Sequence, residues 1–165
     1  MQPSLQMSNS DILHLIKCPK VMNAPIPAAK TKNRNYEQRF SVYSDDYGEF
    51  KIFITQSIPN PIDFSVGLMF NDFLLLRCNG FHGPTRIGSH QYTHHAAVHT
   101  HTLTENDIHN GRDRRPSEIE DVTGKYFDVK SALRYFCEKC GIMNYADFAP
   151  ELAQISLFEG EGNWS

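Results

Sequence analysis

QRFSVYSDDYGEFKIFITQSIPNPIDFSVGLMFNDFLLLRC, residues 38–78, decides the fold class. Phe40 and Val42, then Phe50, Ile52 and Ile54 beyond the turn Asp45-Asp46-Tyr47-Gly48, recur at every second position. Side chains of a strand point alternately to opposite faces, so a period of two marks two strands joined as a hairpin. After Pro59-Asn60-Pro61 the period resumes with Ile62, Phe64, Val66, Leu68 and Phe70, and Asn71-Asp72 turns the chain back into Phe73-Leu74-Leu75-Leu76-Arg77-Cys78. This second hairpin is apolar on both faces, which places it centrally in the sheet with helices over one side.

On the N-terminal side, Ser10 or Asn9 is placed to cap a short helix carrying Ile12, Leu13, Leu15 and Ile16, which Pro19 stops. Residues 21–35 hold two prolines and the cations Lys30, Lys32 and Arg34, and read as an extended, solvated connector. On the C-terminal side Asp128 caps a helix with Val129, Ala132, Leu133 and Phe136 at helical spacing and Gly141 as its stop. A last short helix runs to about residue 155. The expected organisation is therefore a short helix and extended linker over residues 1–37, a single α+β domain over 38–155 and a flexible tail over 156–165. Within the domain an antiparallel sheet of about five strands, two hairpins plus a histidine-rich strand, carries the C-terminal helix on one face. An all-β barrel is the alternative.

A chain of 165 residues with 40% apolar and 21% charged residues is ordinary for one soluble domain with its own core. The formal charge of -3 gives no global bias toward nucleic acid, so any anion binding must be local. Eight histidines would turn that charge positive on modest acidification. Cys18, Cys78, Cys137 and Cys140 are too few and scattered for a disulfide scaffold, and no signal peptide or membrane-spanning run is visible, so the expected compartment is the cytoplasm. Cys137-Glu-Lys-Cys140 has the spacing of redox and zinc motifs, but it falls inside the expected helix and no second pair accompanies it. Both thiols are read as core residues.

The chemistry concentrates in residues 90–115, which hold six of the eight histidines and end in Arg112, Arg114 and Arg115. In an extended strand His95, Ala97, His99 and His101 share one face, while Ala96, Val98, Thr100 and Thr102 take the other. Imidazoles side by side suit a divalent metal such as zinc, held by His95, His99 and His101, or proton transfer by His99 and His101 with Glu105 nearby. The ordinary alternative is an exposed polar strand face. The spacing His99-x-His101-x3-Glu105 also matches the first half of a cupin metal motif, but no histidine follows His109 to complete it. Guanidinium offers paired donors, so Arg112, Arg114 and Arg115 suit a phosphate. Set against this is a solvated turn neutralised by Asp113, Glu118, Glu120 and Asp121.

The order Leu75-Leu76-Arg77-Cys78-Asn79-Gly80, then His-x-His at His99 and His101, then YFDVKSALRYFCEKCGI over residues 126–142, resembles small proteins encoded beside toxin-antitoxin genes, the TumE type. The similarity spans about residues 39–142. It implies an α+β fold and a toxin-like or toxin-neutralising role, with RNA or a cognate toxin or antitoxin as partner, and puts the family's histidine strand on His99 and His101. The chain departs from that pattern in its N-terminal extension and in the loop 82–95. Three readings follow: a small toxin-like ribonuclease using histidine acid-base chemistry and an arginine phosphate clamp, a non-catalytic interaction protein, and a histidine-ligated metalloprotein.

Overall fold

The computed structural model describes residues 6–81 and 97–149, together with the backbone of 85–87 and 90–92. In chain order the elements are α1 (Asn9–Lys17), β1 (Lys30–Lys32), β2 (Asn35–Ser44), β3 (Gly48–Ser57), β4 (Phe64–Phe70) and β5 (Phe73–Asn79). Next come β6 (Thr85–Ile87), β7 (His90–Tyr92), β8 (His99–Thr102), α2 (Glu105–His109), β9 (Glu118–Asp121), α3 (Val129–Lys139) and α4 (Tyr145–Phe148). One antiparallel sheet has the order β1-β2-β3-β4-β5-β8-β9, and β6 pairs with β7 apart from it. The fold is α+β, and the sheet is open rather than closed into a barrel, since β1 and β9 are its two edges.

Both hairpins form where the period-two pattern puts them. Val42 pairs with Phe50 and Phe40 with Ile52 across the first. Phe70 pairs with Phe73 across the two-residue turn of the second, where Asn71 takes φ 52°, a left-handed conformation that asparagine tolerates. The register then lines up Ile54 with Val66 and Cys78, and Ile52 with Leu68 and Leu76, on one face. Those residues are buried and share a core with Ala132, Leu133, Phe136 and Cys137 of α3. The second hairpin is central, as its apolar faces require. Full burial of a leucine or phenylalanine side chain is worth about 1.5–3 kcal/mol, so this helix-on-sheet contact contributes several such terms to stability.

The sheet has seven strands in the described residues rather than five, and both additions are edges. Lys30–Lys32, expected to be solvated linker, pairs with β2, and Glu118–Asp121, expected to be acidic turn, pairs with β8. All seven of these residues are exposed. Edge strands are held by main-chain hydrogen bonds and carry charge on their side chains, so hydrophobic periodicity does not reveal them.

The helices follow their caps. Ser8, rather than the expected Asn9 or Ser10, caps α1 and forms a capping box with Asp11. Ile12, Leu15 and Ile16 of α1 join the common core. Asp128 caps α3 through Ser131, and Gly141 ends it at φ 68°, where a β-carbon would lie 2.6 Å from the Lys17 carbonyl. Lys20 sits between the two helix ends, fully buried, donating to the carbonyls of Ile16, Cys18 and Cys140 at 2.8, 3.0 and 2.8 Å. All three of its protons are thereby placed on carbonyls at helix C-termini, where the dipoles favour a cation. Cys137 and Cys140 are free, buried core thiols, as read from the sequence, and burial pushes both upward in pKa. No described helix is long and apolar enough to cross a membrane. The last helix, expected to run to about residue 155, ends at Phe148 with Ala149 as its C-cap, and residues 150–165, including the expected tail, lie outside the described residues.

Candidate site on the face of the sheet opposite α3

Strand alternation sends neighbouring residues of β5 and β8 to opposite faces. Cys78 and Thr100, opposite one another, are turned toward α3, so Arg77, Asn79, His99 and His101 occupy the other face. Register arranges that face in two rows. One runs Ser65, Asn79, His99, Asp121, and the next runs Phe53, Gly67, Arg77, His101, Ile119.

The first row is a hydrogen-bonded relay. Ser65 Oγ donates to Asn79 Oδ1 at 2.7 Å, and Asn79 Nδ2 donates to His99 Nε2 at 3.3 Å. His99 Nδ1 lies 2.7 Å from the Ala97 carbonyl, which can only accept. These partners together assign the proton of His99 to Nδ1 and make Nε2 its accepting atom. Tyr126 braces the same pair of strands from below, its hydroxyl donating to the Asn79 carbonyl at 2.8 Å and lying 3.1 Å from that of His99. Burial pushes the Tyr126 phenol well above its ordinary pKa, so it stays a neutral donor. At the edge, the Thr123 hydroxyl and N–H, at 2.5 and 2.9 Å, hold the Asp121 carboxyl below its usual range.

The second row places His101 beside His99, ring centroids 4.9 Å apart and planes at 73°. The two imidazoles therefore share a face, as the alternation of residues 95–101 implies. They are not the exposed polar surface that was the ordinary alternative, because His99 and His101 are 1% and 7% exposed. Arg77 stands directly opposite His101, half-buried. Across β4 the position next to it is Gly67, whose missing β-carbon leaves room for the Phe53 ring.

The other residues singled out from the sequence go elsewhere. Glu105 is exposed in the first turn of α2, its N–H bonded to Asn9 Oδ1, and it lines a groove with Gln6, Met7, Ser8 and His109. The capping box of α2, Thr104 with Asp107, directs the chain away from the strand at that point. Arg114 is exposed and paired with Asp72 at 2.9 Å, and Leu74 N bonds the Asp113 carbonyl, so the arginine loop docks at the start of β5. Five residue steps along an extended chain, roughly 17 Å, separate Asp72 from Arg77. The arginines are thus not brought to the histidines. Of the proposed metal ligands, His99 and His101 come together, whereas His95 lies outside the described residues. Among the described residues no group of three or more histidine, cysteine, aspartate or glutamate side chains is arranged to hold a metal ion.

Arg77, Asn79, Ser65 and Tyr126 escaped the sequence reading of the site. The signal for the first two is local: polar residues at alternate positions of an otherwise apolar central strand must find partners or a function. Ser65 and Tyr126 carry no such mark, since only the register brings them to Asn79 and His99. Comparison with family models, with curated proteins and with solved structures finds no match to this chain.

Proposed function

We propose that the chain is a small toxin-like ribonuclease acting in the cytoplasm, with RNA as substrate and a cognate toxin or antitoxin as protein partner. The observation that carries this reading is the imidazole pair 4.9 Å apart on one strand face, one ring oriented by a backbone carbonyl. A base held in one tautomer by a partner on its other nitrogen is the arrangement that proton abstraction needs. His99 Nε2, which accepts a 3.3 Å bond from Asn79, takes the proton of a ribose 2′-hydroxyl. The 2′-oxygen then attacks the adjacent phosphorus, and the 5′-oxygen leaves with a proton from His101. The product is a 2′,3′-cyclic phosphate and a free 5′-hydroxyl.

The test is cleavage of a mixed single-stranded RNA pool across pH, with and without chelator. Wild type should give a bell-shaped profile, because one imidazole must be neutral and the other protonated. His101→Ala should lower the rate about 100-fold or more. Cleavage that is absent in wild type, or unchanged in both His99→Ala and His101→Ala, ends the nuclease reading. Loss on chelation alone would transfer both residues to metal ligation, the histidine-ligated metalloprotein.

A second reading is favoured by the burial of the two rings. In it, the pair and the Ser65-Asn79-His99 relay are an internal polar bridge joining β4, β5 and β8, and the chain is a non-catalytic partner of a toxin or antitoxin.

A further inference from the structure

We infer that Arg77, rather than the loop of Arg112, Arg114 and Arg115, is the phosphate-holding group of this face, and that its ligand is the phosphodiester of a single-stranded nucleic acid. The inference rests on the nuclease reading for the identity of the ligand, but its observations are independent of it.

Arg77 is a guanidinium in a central strand whose only other polar side chain is Asn79, and its Nε–H is buried without a hydrogen-bond partner. Among the described residues no carboxylate pairs with it; the ion pairs there include Arg114 with Asp72 and Lys139 with Glu120. A cation withdrawn from water costs free energy unless something compensates it, and here burial already works to lower the pKa of the group. An arriving anion would supply that compensation. Arg77 is nevertheless only half-buried, unlike His99 and His101, so a ligand can reach the outer edge of its guanidinium without entering the relay.

Its surroundings fit an oxyanion. Residues directly opposite on neighbouring strands bring their β-carbons to about 5 Å, so an oxygen held by Arg77 lies within reach of the His101 ring. On the other side Gly67 contributes no side chain, and the Phe53 ring walls the space. Planar paired donors beside an imidazole are the donor set that a phosphodiester accepts bidentately, whereas Arg114 already spends two of its donors on Asp72.

The experiment uses two probes and four proteins. Inorganic phosphate is titrated by following the His101 ring proton in NMR, and a fluorescent single-stranded decadeoxynucleotide, which lacks the 2′-hydroxyl and cannot be cut, is titrated by anisotropy. The proteins are wild type, Arg77→Gln, Arg77→Lys and, on the helix-covered side, Lys130→Gln. Arg77→Gln should weaken oligonucleotide binding about tenfold or more and flatten the slope of log K against log salt by about 0.7, the loss of one phosphate contact. Arg77→Lys, which keeps the charge and loses the fork, should fall between, and Lys130→Gln should stay within about twofold of wild type. Phosphate bound alone, with no oligonucleotide affinity, overturns the phosphodiester. Wild-type affinity and salt slope in Arg77→Gln, or saturable binding of neither probe by wild type, overturns Arg77 as the holder. RNA cleavage measured on the same preparations separates the two ideas: Arg77-dependent binding without cleavage sinks the nuclease and keeps this assignment, while cleavage with an unchanged KM in Arg77→Gln does the reverse.

Discussion

The two faces of the sheet at β4, β5 and β8 are both buried, and they are buried by different means. On the side of α3, Val66, Leu68, Leu76 and Cys78 meet Phe136 and Cys137 in apolar contact, and the Cys78 thiol is pushed up to about 12 by burial. On the other side Ser65, Asn79 and His99 are linked by directed hydrogen bonds, and the buried Arg77 Nε–H is left with none. Low exposure therefore does not by itself distinguish a core from a site. What distinguishes them is whether the buried polar groups have partners, because an apolar contact tolerates approximate geometry and a buried donor does not.

The largest expected effect tests the apolar side. Phe136→Ala removes a fully buried ring from α3 and should cost about 3–5 kcal/mol in urea denaturation, through lost transfer energy and the cavity left behind. A loss under 1 kcal/mol would mean that α3 does not hold the sheet.

His99→Ala comes next, at about 1–3 kcal/mol, because it strands the Asn79 amide and the Ala97 carbonyl without their partner. An exposed histidine strand would have predicted much less. The double mutant with Asn79→Ala should cost less than the two single changes added together, as expected for groups in direct contact. Strict additivity would remove the relay.

Thr100→Val sharpens the contrast from within one strand. Thr100 faces α3, is fully buried, and its hydroxyl has no hydrogen-bond partner. Replacing that hydroxyl with a methyl group should raise stability by about 1 kcal/mol, whereas polar-to-apolar changes on the opposite face lower it. A destabilised Thr100→Val protein would show that the helix-covered side also depends on polar pairing.

The smallest effect concerns the clamp at the end of β8. Asp107 Oδ2 accepts the N–H of Thr104, after β8, and that of Ser117, before β9, both at 3.0 Å. Burial acts to raise its pKa, but the bonds from Ser117 and Thr104 outweigh burial and hold it below its ordinary value of 3.8. A carboxyl depressed in the folded state stabilises above its unfolded pKa and loses that contribution as pH falls through the folded one. Asp107→Ala should thus cost about 1 kcal/mol at pH 7, and the gap to wild type should narrow below about pH 4. A gap that stays constant from pH 7 to pH 3 would remove the charge from the account.

Sequence alone determined both hairpins, the central place of the second, α1 and α3 with their stops, and the shared face of His99 and His101. Each of these rests on a period or a cap, which are properties of a few neighbouring residues. Tertiary structure alone decided that Lys30–Lys32 and Glu118–Asp121 are strands, since main-chain pairing at an edge leaves no trace in charged side chains. It also decided that the histidines are buried, that Asn79 bonds the His99 ring while Tyr126 bridges the carbonyls of Asn79 and His99, and that Arg77 stands opposite His101 while Arg114 is drawn to Asp72. Arg77 and His101 lie 24 positions apart in the chain, and only the antiparallel register of β5 with β8 makes them neighbours. The arginines that follow the histidines closely in sequence are carried to the other end of β5 by the turn that α2 imposes.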